Sequence, residues 1–137
     1  MIGIVLVSHG RFADELLRTA ETIVGRIENA ATVGMDAKTG MEEIHRALEE
    51  AIRTVDGGEG VLLLIDMFGG TPSNIGLSFL GTHPVEVVTG VNLPMMLKLP
   101  TARTSMGLAE LAGYLREYGQ RNIMTPGDML RKKADKR

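Results

Sequence analysis

The chain has no cysteine, no tryptophan, only three phenylalanines and two tyrosines, and a net charge of −2 over 137 residues. Without cysteine it has no disulfides and no thiolate chemistry, which fits a reducing compartment. With so few rings it lacks the stacking platforms that bind bases or sugars. Its near-neutral balance creates no field to draw nucleic acid or an anionic membrane. Long hydrophobic runs are missing too. The first, Ile2–Val7, has no basic segment ahead of it and is too short for a signal peptide. Nothing approaches the ~20 apolar residues of a membrane span. These absences point to a cytoplasmic protein without a nucleic-acid partner.

What is present is a globular core. Hydrophobic residues make up 44% of the chain. A chain of this length forms one domain and buries roughly two-thirds of its unfolded surface. Four short runs rich in β-branched residues, Ile2–Val7, Ala30–Val33, Val61–Ile65 and Val85–Val88, read as strands buried on both faces of a parallel sheet.

Amphipathic segments alternate with these runs. The first carries Phe12, Leu16, Leu17, Ala20, Ile23 and Val24 and stops at Gly25. The second carries Met41, Ile44, Leu48, Ile52 and Val55, opens on a Thr39-x-x-Glu42 capping box and ends at Gly57-Gly58. The third starts at Thr71 with Pro72 at its first position, uses Ile75, Phe79 and Leu80, and stops at Gly81. A short apolar stretch, Leu93–Leu99, follows, and a last helix runs from Ser105 or Met106 to Tyr118, closed by Gly119. Strands alternating with helices imply parallel pairing through right-handed crossovers. The basic end, Arg131 to Arg137, reads as a frayed, solvated tail.

The chemistry-bearing residues stand at strand ends. Ser8-His9-Gly10 follows the first run, and Asp66-Met67-Phe68-Gly69-Gly70-Thr71-Pro72-Ser73-Asn74 follows the third. Side chains at the carboxyl ends of strands face the binding edge of an open α/β sheet. If these two strands are neighbours, Asp66 lies within reach of an imidazole N–H of His9. The carboxylate would then fix the ring tautomer and leave the other nitrogen nucleophilic. Gly69 and Gly70 allow close approach of the backbone to a ligand, and the helix start beyond them offers free N–H groups to an anion, with the Thr71 and Ser73 hydroxyls as further donors. No Gly-Lys-Ser/Thr follows, so this is not a P-loop, and Gly69-Gly70 alone is not a dinucleotide fingerprint. His45, within a helix, and His83, before Pro84, read as structural. Asn92 either caps the next helix or reaches the rim of the site. Met95-Met96-Leu97 reads as core more readily than as a docking surface.

Together, Ile4-Val5-Leu6-Val7-Ser8-His9-Gly10, Asp66-Met67-Phe68-Gly69-Gly70-Thr71-Pro72-Ser73-Asn74 and Gly90-Val91-Asn92-Leu93-Pro94-Met95 resemble the mannose/fructose/sorbose-type enzyme IIA of the bacterial phosphoenolpyruvate-dependent sugar phosphotransferase system. The resemblance covers about residues 1–120, with the motifs in the same order. It implies a phosphocarrier in which His9 carries phosphate on Nε2, Asp66 bonds Nδ1 and Thr71 helps hold the phosphoryl group. It further implies the phosphocarrier HPr as donor, a IIB protein as acceptor, an indirect link to the membrane IIC and IID subunits, and a homodimer. No cofactor or metal is expected. The expected architecture is a doubly wound α/β domain, a mostly parallel sheet of four to five strands in the order 2-1-3-4. Residues 1–125 would be the IIA domain and 126–137 an extension with a basic tail, leaving IIB on a separate chain. Arg11, Phe12, Met67 and Phe68 are the candidate partner surface.

Three other readings fit the residues less well. A tetrapyrrole metal chelatase needs further ligands converging on the histidine, and His45 and His83 lie elsewhere. A histidine phosphatase or mutase calls for Arg before the histidine, where Ser8 stands. The phosphocarrier subunit of dihydroxyacetone kinase is a relative by fold, but the Gly-Gly-Thr-Pro loop argues against it. A purely regulatory use of the same phosphorylatable domain is compatible with every residue named here.

Overall fold

The computed structural model describes residues 1–135. Four parallel strands, β1 (Gly3–His9), β2 (Ala30–Met35), β3 (Val61–Ile65) and β4 (Val85–Thr89), form one sheet in the order β2-β1-β3-β4. Six helices accompany them: α1 (Phe12–Val24), α2 (Met41–Val55), α3 (Thr71–Leu77), α4 (Leu93–Ala102), α5 (Leu108–Arg121) and α6 (Pro126–Asp135). This is a doubly wound α/β fold, with four strands in the expected order.

The apolar runs of the central strands β1 and β3 are buried on both faces because each face has its own helices, whereas the edge strands β2 and β4, expected to be buried likewise, are only partly covered. Ile4, Leu6, Leu62 and Leu64 point to one side, into a core shared with Leu16 and Ala20 of α1, Met96 and Leu99 of α4 and Leu111 and Leu115 of α5. Val5, Val7, Leu63 and Ile65, one residue out of phase, point to the other and meet Ile44, Leu48 and Ile52 of α2 and Ile75 of α3. The period of two along each strand thus divides the core into two layers.

Several local expectations give way to tertiary contacts. Thr39 does not build a capping box. Its hydroxyl bonds the Asp36 carboxylate at 3.0 Å in a tight turn, and Gly40 is the N-cap of α2. The donors of Lys38 and Thr39 hold that carboxyl below its usual range. Helix α3 is capped by Gly70, which puts Pro72 in the second helical position, and it stops at Leu77. The chain then tightens into i→i+3 bonds, Ser78 N–H to Ile75 O and Phe79 N–H to Gly76 O, so Leu80 falls outside the helix and is exposed. Helix α5 begins later than expected, at Leu108, and runs through Gly119. That glycine is no stop: a Cβ there would lie 2.6 Å from Met95 Sδ, so it lets α5 close on α4. On α1 the buried stripe is Ala13, Leu16 and Ala20, while Phe12, Ile23 and Val24 are exposed. The segment from Arg131 to Asp135 is helical and not frayed, though no residue of α6 is buried. Lys136 and Arg137, the last of the basic tail, lie outside the described residues.

Candidate functional site

The chain leaves β1 towards β2 through α1 on one face, and leaves β3 towards β4 through α2's neighbour α3 on the other. The switch in direction opens a crevice at the carboxyl ends of β1 and β3, where α/β sheets take their ligands. His9 ends β1, and Asp66 directly follows β3. The Asp66 N–H continues the ladder to Val7 O at 3.1 Å, which sets the two residues side by side.

Asp66 grips His9 twice with one oxygen. The His9 backbone N–H donates to Asp66 Oδ2 at 2.9 Å, and the ring Nδ1 lies 2.8 Å from the same atom. The Met67 N–H donates to Oδ1 at 2.8 Å. Partial burial pushes the Asp66 carboxyl up. The His9 backbone N–H, the His9 ring and the Met67 N–H together outweigh it and hold the carboxyl below its usual value. An ionised carboxylate only accepts, so in the neutral ring Nδ1 carries the proton and Nε2 keeps a free lone pair. The histidine side chain is half-exposed, at 50%, against 15% for Asp66. An accessible imidazole is backed by a sheltered anion, the arrangement that orients imidazole in hydrolytic triads.

The other edge of the ring faces the glycine loop. A Cβ on Gly70 would lie 2.8 Å from His9 Cε1 and 3.2 Å from Nε2, so only the bare Cα fits beside that nitrogen. Gly69 adopts φ +94°, a left-handed conformation that suits glycine. Thr71, half-buried, is the first residue of α3. The N–H groups of Thr71 and Ser73 have no acceptor within the first turn of the helix, and Pro72 has none to offer. The Ser73 hydroxyl differs from expectation: it is fully buried without a hydrogen-bond partner, so it is closed off from the crevice.

Asn92 is an N-cap. Its Oδ1 accepts from the Met95 N–H at 3.2 Å, and its Nδ2 donates to Gly119 O at 3.1 Å. The amide therefore ties α4 to α5, and its rim position contributes no hydrogen bond to His9. Met95 and Met96 are core. Phe12, Met67 and Phe68 are 47%, 52% and 70% exposed and flank His9 and Asp66 along the chain. Arg11 is exposed, 3.6 Å from Glu15. His45 stacks on Phe79 at 4.6 Å, with His83 at 5.6 Å on the same ring, so both belong to the α2–α3 layer. Among the described residues no group of three or more His, Asp or Glu is placed to hold a metal ion, and no helix is long and apolar enough to cross a membrane.

Two site features were not anticipated from sequence. Ser8 is buried and accepts the Ala13 N–H at 2.7 Å, anchoring the first turn of α1 to the end of β1. The second is the backbone grip of Asp66 on His9. Neither leaves a sequence signal beyond a small polar residue before the histidine.

Comparison with known proteins bears on this constellation. The family described as "PTS system fructose IIA component" matches residues 3–114. The fructose-specific EIIA component of Bacillus subtilis is 28% identical over 133 residues, which span 96% of this chain and 91% of that protein. The mannose-specific EIIAB component of Escherichia coli is 36% identical over 128 residues, 89% of this chain but 38% of that longer protein. Among solved structures, the mannose/sorbose-specific IIA subunit from Enterococcus faecalis superposes with a TM-score of 0.82 at 34% identity, covering 90% of this chain and 93% of that one.

Proposed function

The chain belongs to the mannose-type EIIA family of the sugar phosphotransferase system, and on that premise we propose that it is a phosphocarrier whose His9 accepts phosphate from HPr and passes it to a IIB protein. The observation that carries this reading is the ring of His9, half-exposed and fixed at Nδ1 by Asp66 at 2.8 Å, which leaves Nε2 free.

The chemistry follows from that geometry. The Nε2 lone pair attacks the phosphorus of phospho-HPr in line. The new N–P bond forms as the donor's bond breaks, and the donor keeps the electron pair. The His9 ring retains its Nδ1 proton throughout, and the Asp66 carboxylate stabilises the positive charge the ring acquires. Gly70, with the Thr71 hydroxyl and N–H, receives the phosphoryl oxygens. Because phosphohistidine is a relay state, the step runs in reverse onto IIB. Catalysis is positioning and charge stabilisation.

Partners dock on the exposed apolar rim of Phe12, Met67 and Phe68, with Arg11 beside it. The protein works in the cytoplasm, linked through IIB to membrane IIC and IID subunits, in sugar uptake or its regulation. Residues 1–125 form the IIA domain and 126–137 an extension, a division supported by the lack of any buried residue in α6. We include a homodimer in the proposal. It is supported by β4, which pairs on one edge only and borders a groove of about 500 Å³ shared with α5.

The test is intact-mass spectrometry under mildly alkaline conditions after incubation with phosphoenolpyruvate, enzyme I and HPr. One acid-labile phosphoryl group on the wild type and none on His9→Ala is expected. An unmodified wild type beside active control proteins refutes the proposal.

A further inference from the structure

Asp66 holds His9 from the β3 side, and the β2 side holds it as well. Strands β1 and β2 pair in register, Ser8 opposite Gly34 and His9 opposite Met35. Beyond the end of the ladder, the Gly10 N–H donates to Met35 O at 2.6 Å. Gly10 turns the chain towards α1 with φ +56°, and this turn lays its carbonyl oxygen on the face of Gly34. A Cβ built on Gly34 would stand 2.5 Å from Gly10 O.

We propose that Gly34 is a positioning residue for His9: its missing side chain seats the Gly10 carbonyl, and with the Met35 carbonyl it clamps the His9–Gly10 peptide across β2. The role rests on reading His9 as the phosphoryl acceptor.

Gly34 has no left-handed φ, so conformation does not demand a glycine there. Its site on β2 is solvent-exposed, so core packing does not demand one either. A glycine inside a strand weakens it and marks a close backbone approach, and the approach here is Gly10. An alanine would have to push the Gly10 oxygen from 2.5 Å to the 3.4 Å at which ordinary contact begins. The moving atom is main chain, one peptide from His9, whose own N–H is tied to Asp66. The shift therefore passes into the angle at which the imidazole meets the carboxylate. A misplacement of about 1 Å costs an active site on the order of 100-fold in rate.

The experiment compares Gly34→Ala with the wild type and with Gly107→Ala, a glycine at the start of α5 whose Cβ would meet nothing within 4 Å. Initial rates of phosphate acceptance from phospho-HPr, per folded protein, are split into kcat and KM. The ¹⁵N spectrum of the His9 ring is recorded in parallel. Gly34→Ala is expected to lower kcat roughly 10- to 100-fold with little change in KM, and to move the Nδ1 resonance away from its carboxylate-bonded position. Gly107→Ala should do neither. Wild-type kcat and ring spectrum in folded Gly34→Ala would overturn the proposal, whatever its melting temperature. If Gly34→Ala does not fold, hydrogen exchange in the wild type decides: the clamp predicts a protected Gly10 amide, and free exchange refutes it. A wild type that takes no phosphate while HPr is active refutes the phosphocarrier reading instead. The ring spectrum and Gly10 exchange still judge the clamp in that case.

Discussion

At the scale of single residues, one carboxylate oxygen organises the site. Because Asp66 orients the ring and sets its tautomer, Asp66→Asn should slow phosphate acceptance by up to about 10⁴-fold, the loss seen when an orienting carboxylate is neutralised beside a catalytic imidazole. The carboxyl is held below 3.8 in the folded protein. Its contribution to stability is therefore full above that pH and is lost as pH falls through the folded value. In acid unfolding below about pH 4, the wild type should lose stability more steeply than Asp66→Asn. Gly70→Ala separates function from fold in another way. Gly70 has φ −93°, which alanine tolerates, yet its Cβ would press on Cε1 and Nε2 of His9. Phosphate acceptance should fall at least tenfold while the melting temperature holds or rises slightly. The histidine–aspartate pair was legible in the sequence because both residues directly follow apolar runs. The backbone grip of Asp66 and the contact of Gly34 with Gly10 were not, since both depend on main-chain atoms of neighbouring strands that no spacing rule places.

Elements show where reading by punctuation succeeds and where it fails. Gly25 ends α1 as expected, with φ +85°. Gly119 has the same look in the sequence and stays inside α5, because its missing side chain admits Met95. A stop glycine and a packing glycine differ only in what lies opposite, which is a tertiary fact. Likewise, Thr39 finds the Asp36 carboxylate before it finds a helix N–H. Asn92 is the cap whose role is clearest, since it also holds Gly119. Asn92→Ala should cost about 1–2 kcal/mol through the lost cap and the unpaired Gly119 carbonyl. Denaturant unfolding checks the cost, and kcat for phosphate acceptance should stay within about twofold.

For the whole molecule, topology sets where chemistry can happen. The order β2-β1-β3-β4 puts the switch between β1 and β3, and the His9 and Asp66 side chains both emerge there. Two apolar layers, one on each face, fix the sheet from both sides, so the crevice edge is the part of the sheet left for a ligand. Helix α6 contributes nothing to either layer. Deleting residues 126–137 should therefore leave unfolding free energy within roughly 0.5 kcal/mol of the full chain, measured at a protein concentration that keeps the oligomeric state constant. The fold class and strand order were readable because wholly apolar strands require cover on two faces. The helical state of residues 126–135 was not, because charge and exposure alone do not distinguish a solvated helix from a frayed tail.

The proposed mechanism requires that Nε2 be the free nitrogen of His9. The most direct measurement is ¹H–¹⁵N and ³¹P NMR of the protein phosphorylated by enzyme I and HPr, with ¹⁵N-labelled histidine. It should show phosphorus coupled to Nε2 of His9 and a proton retained on Nδ1. Phosphate on Nδ1, or on any other residue, would contradict the role assigned to Asp66 and with it the mechanism.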